Sequence, residues 1–261
     1  MNLRQVVIGS TLLVCGPCFL IAADSLESLH GHCTIRAEEY ANRASLNLEH
    51  GDCSGHDCGT QNMDLPWSVL SGFALTDLAR EGAKADTVVN GEAGRLTCSG
   101  TVHDQRLSGD YTFVPDRSFV ARMDRAGYHG LDSDKLLAYT LFQITMSWIE
   151  SLQQAGVTGM DANNLIALKI FKADAAFVRQ LGELGYPTPP AEKLIALRVQ
   201  GVDPAEVKQI RALGLDPSLD ELIQMRIFKV TPDFVKRMQA RGFNNLSISK
   251  LVQIRIFNLA E

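Results

Sequence analysis

A beat of about 29 residues constrains this chain more than any other feature. Leu136, Leu165, Leu194, Leu222 and Leu251 are separated by 29, 29, 28 and 29 residues. Gly127, Gly156, Gly185, Gly214 and Gly242 keep the same time, at 29, 29, 29 and 28. The leucines open four near-identical phrases: LIALKIF at 165–171, LIALRVQ at 194–200, LIQMRIF at 222–228 and LVQIRIF at 251–257. Two landmarks in one register make this a tandem repeat, whose units must share faces because one hairpin buries too little apolar surface to stand alone.

The grammar of a unit is helix, turn, helix. Four residues before each leucine stands Asp132, Asp161, Pro190, Ser218 or Ser247, mostly good N-caps. Thr188, followed by Pro189 at the first helical position, is the expected cap where Pro190 intervenes. Nine residues after the leucine, Thr145, Asp174, Asp203 and Thr231 cap a second helix, and the marker glycine closes it in a left-handed conformation. DRSFVARMDRAGY (116–128) matches TPDFVKRMQARGF (231–243), so the series opens on a second helix alone. The expected organisation is a half-unit at 116–128, units near 132–157, 161–186, 188–215 and 218–243, and a terminal half-unit at 247–261. The alternative is a leucine-rich-repeat-like fold, since LIALKI also fits LxxLxL. Such repeats want Asn or Cys where this chain has Ala173, Val202, Val230 and Leu259, and caps flank the phrase on both sides.

Residues 24–115 read differently. CTIRAEEY, RASLNLEH, ADTVVNG, GRLTCSGTV and SGDYTFV alternate with period two, with turn-rich connections expected at 91–94 and 103–109. LPWSVLSGFALTDLARE reads as a short helix or a strand with a turn. The fold class is therefore α+β: a small antiparallel β module followed by an α-helical hairpin repeat array.

The first 23 residues have the layout of a secretory signal peptide, with one arginine, an apolar run and a small-residue site after Ala23. An N-terminal membrane anchor is the alternative. Cys15-Gly-Pro-Cys18 spells a redox dithiol, but it lies inside that apolar run, without the strand and helix that lower a thiol pKa. Export implies a periplasmic or secreted protein, and four cysteines remain. The expected pairs are Cys53–Cys58, closing a Gly-rich loop, and Cys33–Cys98, tying the start of the module to its end.

The same region gathers His30, His32, His50 and His56 beside Cys33, Cys53 and Cys58. These are ligand types for zinc or copper. Their spacing fits no standard zinc framework, and exported cysteines oxidise, so no cofactor is expected and a metal site is the alternative reading. The net charge of −5 gives no general attraction to nucleic acid.

Position five of the phrase is Lys169, Arg198, Arg226 and Arg255. On a helix this position falls beside the buried stripe. The functional reading is a docking ladder for carboxylates or another polyanion. The structural reading is that each stem packs while its head caps carbonyls or pairs with a neighbouring unit.

Units of the form L-I-x-L-R-I…V-T-P-x-F-V…G-[YF] resemble a repeat found in exported bacterial proteins and in C-terminal extensions of some β-lactam-sensor-like membrane metallopeptidases. The resemblance covers 116–261. It implies no peptidase activity here, because His-Glu-x-x-His is absent. It supplies no catalytic residues, and no nucleophile, base and orienter stand out. The expected function is a non-catalytic exported scaffold that binds a protein or cell-envelope polymer. It would touch a membrane only through an uncleaved signal segment. Metal binding or metal sensing is the alternative.

Overall fold

A computed structural model describes residues 26–38, 42–52 and 57–257. The expected signal segment, His56 and the Cys53–Cys58 bridge lie outside the described residues.

Alternating side chains build six strands: β1 (Leu29–Ala37), β2 (Arg43–Asp52), β3 (Asp57–Pro66), β4 (Lys84–Gly91), β5 (Gly94–His103) and β6 (Arg106–Pro115). They form one antiparallel sheet in the order β3-β2-β1-β6-β5-β4, two three-stranded meanders joined where β1 pairs with β6. Cys33, Ile35, Leu46, Leu48, Leu96, Cys98, Leu107, Tyr111 and Phe113 all point to one buried face. Alternation forces that arrangement, because side chains two apart share a face.

Three sequence expectations change. β1 begins at Leu29, so His30 and His32 belong to a strand. The connection expected at 103–109 is a two-residue turn, Asp104-Gln105, with φ of 50° and 56°, and the sheet register resumes at His103↔Arg106. Positive φ at both central residues matches the twist of the flanking strands. β3 was not foreseen. It pairs with β2 along its whole length, although Leu65 is its one fully buried apolar side chain among the described residues.

Cys33 on β1 and Cys98 on β5 are joined by a disulfide, although β6 lies between their strands. Neighbouring strands stand about 4.8 Å apart, so two strands flanking a third should be nearly 10 Å apart. The Cα atoms of the two cysteines are 6.2 Å apart. The sheet is therefore creased across β6. Gly109, opposite Cys33, makes room at the crease: a Cβ there would stand 2.0 Å from the Ser99 carbonyl oxygen.

Among the described residues ten α-helices follow: α1 (Arg117–Arg125), α2 (Ser133–Leu141), α3 (Met146–Gln154), α4 (Asn164–Ile170), α5 (Ala175–Glu183), α6 (Ala191–Val199), α7 (Pro204–Ala212), α8 (Leu219–Ile227), α9 (Pro232–Ala240) and α10 (Ile248–Ile256). The fold is thus mixed α+β. Every LxxLxL-like phrase lies on a helix. α2 packs against β4, β5 and β6, and beyond it the helices sort by parity: α4 on α6, α6 on α8 and α8 on α10, with α3 on α5, α5 on α7 and α7 on α9. Apolar residues from the sheet to α8 form one continuous buried cluster.

Caps explain the boundaries. Asp116, Asp132, Thr145, Asp174, Ser218, Thr231 and Ser247 each accept the backbone N–H three residues on. Asp203 accepts that of Ala205. Two expected caps move. Asp161 lies before the N-cap Asn163 and holds the N–H groups of Asn163 and Asn164 at 2.7 and 2.8 Å. Helix α6 starts at Ala191, not at Pro189, because Thr158 pairs with this segment through its N–H to Pro189 O and its carbonyl from Ala191 N, holding 188–190 extended. The marker glycines have φ between 86° and 91°, and the following N–H reaches back to the last turn, as from Tyr128 to Met123 O. The first helices close the same way on Gln143, Lys172, Gly201 and Lys229, three of them non-glycine at φ of 53–54°.

Two aspartate caps give a pH dependence. The Ser118 hydroxyl, then the Phe119 N–H, hold the Asp116 carboxyl below its usual range. Burial alone would raise Asp132, but the N–H and ammonium of Lys135 outweigh it and bring it down. A depressed carboxyl contributes stability above its unfolded pKa, about 3.9, which is lost as pH falls through the folded value. The melting temperature is therefore expected to drop as the pH falls below about 4. The doubly substituted Asp116→Asn/Asp132→Asn protein, which still caps but cannot titrate, should show a shallower drop in thermal melts.

Candidate functional site

The ladder of position five is built from neighbouring helices. Lys169 Nζ donates to the Gln143 carbonyl at 3.0 Å and stands 4.8 Å from the Trp148 ring centre. Burial pushes the Lys169 ammonium below its usual pKa. Arg198 Nε donates to the Phe171 carbonyl at 2.9 Å, with its guanidinium 4.9 Å from the Phe177 ring centre. Arg226 Nε donates to the Gln200 carbonyl at 3.2 Å, and its Nη1 pairs with Glu206 at 2.8 Å. Arg255 lies 4.8 Å from the Phe234 ring centre, with its Nε buried.

One rule covers all four. Trp148, Phe177, Glu206 and Phe234 each stand three residues after the cap of a second helix, and each meets the cation of the first helix that follows. Where the ring is replaced by Glu206, the cation–π contact is replaced by an ion pair. Lys169, Arg198 and Arg226 also answer carbonyls at the C-terminus of the preceding first helix, where orphan acceptors and the helix dipole favour a cation. These contacts tie each helix to those that precede it, so much of each head group is committed within the chain.

Beside the ladder lies a row that sequence reasoning missed. Position six, Ile170, Val199, Ile227 and Ile256, is 46, 50, 49 and 48 % exposed. Phe171 and Phe257, at position seven, are 40 and 67 % exposed. At 100° per residue, position five lies roughly 35° from the centre of the buried stripe and position six roughly 135° from it. The signal was therefore in the sequence: an apolar residue on the wrong side of the wheel in every copy. The second helices offer a contrast, with exposed Arg179, Gln180, Lys208, Gln209, Lys236 and Arg237.

Among the described residues, His30 and His32 do not converge with His50. His30 and His32 lie on the outer face of the sheet, bonding Thr112 at 3.1 Å and Ser108 at 3.0 Å, with Asp110 3.9 Å from His32. His32 stands opposite Glu49, so the adjacent His50 points to the other face, where its Nε2 is 3.7 Å from Asp134. Cys33 is oxidised and is no thiolate ligand. Among the described residues no three His, Cys, Asp or Glu side chains stand close enough together to hold a metal ion. The described members of the metal set, His30, His32 and His50, are thus divided between two faces by strand parity.

Among the described residues no helix is long and apolar enough to cross a membrane. No protein-family model, curated protein or solved structure matches the chain.

Proposed function

We propose that this chain is an exported, non-catalytic interaction protein whose helices form a tandem array of hairpin units. The first-helix face of that array binds a protein or cell-envelope partner. The observation that carries the reading is the apolar row Ile170, Val199, Ile227 and Ile256, which recurs once per unit with about half of each side chain exposed to solvent. Contiguous exposed apolar surface bordered by polar groups is characteristic of interaction sites. The parity of helix packing and the inter-unit cation contacts support the hairpin units near 132–157, 161–186, 188–215 and 218–243. The Cys33–Cys98 bridge is compatible with export, and the repeat resembles those of exported bacterial proteins.

The test is affinity capture from envelope extract with the wild-type protein, Val199→Glu/Ile227→Glu, and a second-helix control, Gln180→Glu/Gln209→Glu. All three are expected to melt alike, since the changed side chains are exposed. Partners are expected to be lost from the first-helix variant alone. Equal capture by all three would remove this face from the proposal.

A further inference from the structure

We infer that the first-helix face takes an extended acidic polypeptide segment bearing an apolar side chain at about every third residue. This rests on the binding-face reading above and adds the chemistry of the occupant.

Spacing gives the first argument. The exposed rungs Ile170, Val199, Ile227 and Ile256 sit on helices α4, α6, α8 and α10, each packed on the next. Packed helix axes stand about 8–10 Å apart. Three residues of chain extended in the polyproline-II conformation rise about 9 Å and complete one turn, so side chains three apart face the same way. Such a segment laid across the helices therefore meets one apolar rung per three residues, and three steps span about ten residues.

Charge gives the second. The row is bordered by Lys169, Lys172, Arg198, Arg226, Lys229 and Arg255. Glu206 pairs with Arg226, and Asp174 lies near Lys169. Lys172, Arg198 and Lys229 have no carboxylate partner among the described residues. Glu192 and Asp220, seven residues before Val199 and Ile227, share that side of their helices, Asp220 being paired with Lys193, and the cations still outnumber the carboxylates there although the whole chain is at −5. A complementary segment is acidic, with carboxylates beside its apolar residues.

Two other occupants fit worse. A sugar or phosphate polymer would leave the apolar rungs exposed to water and gain nothing from them. An anionic bilayer would be repelled by the net charge, and it would need cations free to follow its surface. The heads of Lys169, Arg198 and Arg226 are instead tied to backbone carbonyls, which fixes their positions. Fixed donors suit a partner whose carboxylates are themselves fixed by a chain.

The experiment uses the full chain and a fluorescent peptide of four Leu-Glu-Ser triplets, read by anisotropy. Parallel arms use a Leu-Lys-Ser peptide, and vesicles of phosphatidylcholine with about 30 % phosphatidylglycerol in a pelleting assay. The expected result is saturable binding of the acidic peptide, weakened about tenfold or more by Ile227→Glu. It should also weaken between about 50 and about 500 mM salt. The lysine peptide should not bind. Ile227→Gln, which removes the apolar rung without adding charge, should weaken binding less than Ile227→Glu. Acidic-peptide binding unaffected by Ile227→Glu would overturn the inference. So would vesicle binding sensitive to Ile227→Glu with no peptide binding, though that outcome would leave the binding face standing. No binding in any arm, with envelope capture indifferent to Val199→Glu/Ile227→Glu, would remove both.

Discussion

Replacing Cys33 and Cys98 together by Ala is expected to lower the free energy of unfolding by about 4 kcal/mol, read from the midpoint and slope of urea denaturation. The bridge closes a loop of sequence separation 65, and the chain-entropy model puts the stabilisation from such a loop near this value. It also acts where the sheet has least slack. The bonded cysteines stand on strands separated by β6, so the bridge fastens the crease as well as the chain. Both cysteines are nearly or wholly buried, and their removal leaves space in the cluster that holds Ile35, Leu96 and Tyr111. That cluster continues through the helices to α8, so the loss should displace one cooperative transition and not detach the sheet from the helices. A loss below about 1 kcal/mol would mean that packing alone holds the crease.

What the sequence made legible was local. Eight of the ten helices start from a side-chain cap of the expected kind, and all five marker glycines take the left-handed conformation, because these features depend on a few adjacent residues. What it hid depends on distant partners. Strand β3 has little apolar content and exists through backbone pairing to β2. The start of α6 is set by Thr158, more than thirty residues upstream. The apolar character of β1 and β2 gave two strands, but only their register, His32 against Glu49, sends His50 away from His30 and His32. The face beside the ladder was hidden for another reason. An isoleucine reads as core by default, and its exposure depends on which side of the helix its neighbours cover.

Arg226→Met is expected to cost about 1–2 kcal/mol, beyond the few tenths usual for an exposed cation. The change removes a hydrogen bond to the Gln200 carbonyl at a helix end and leaves Glu206, 23 % exposed, without its partner. Glu206→Phe makes the opposite prediction. Three of the four equivalent positions, Trp148, Phe177 and Phe234, already place a ring beneath the cation. The substitution should therefore exchange an ion pair for a cation–π contact and stay within about 1 kcal/mol of the parent. In that background Arg226→Met should cost less than in the parent, because no carboxylate is stranded. The four proteins form a double-mutant cycle, with urea unfolding as the measurement and an expected coupling of about 0.5–1 kcal/mol. A coupling near zero would mean that Arg226 and Glu206 act independently and that the rule linking ring, carboxylate and cation has no energetic content. A coupling of the expected size would make position five a joint between successive helices, and the proposed recognition would then fall to the apolar rungs and to the donor edges the joints do not consume.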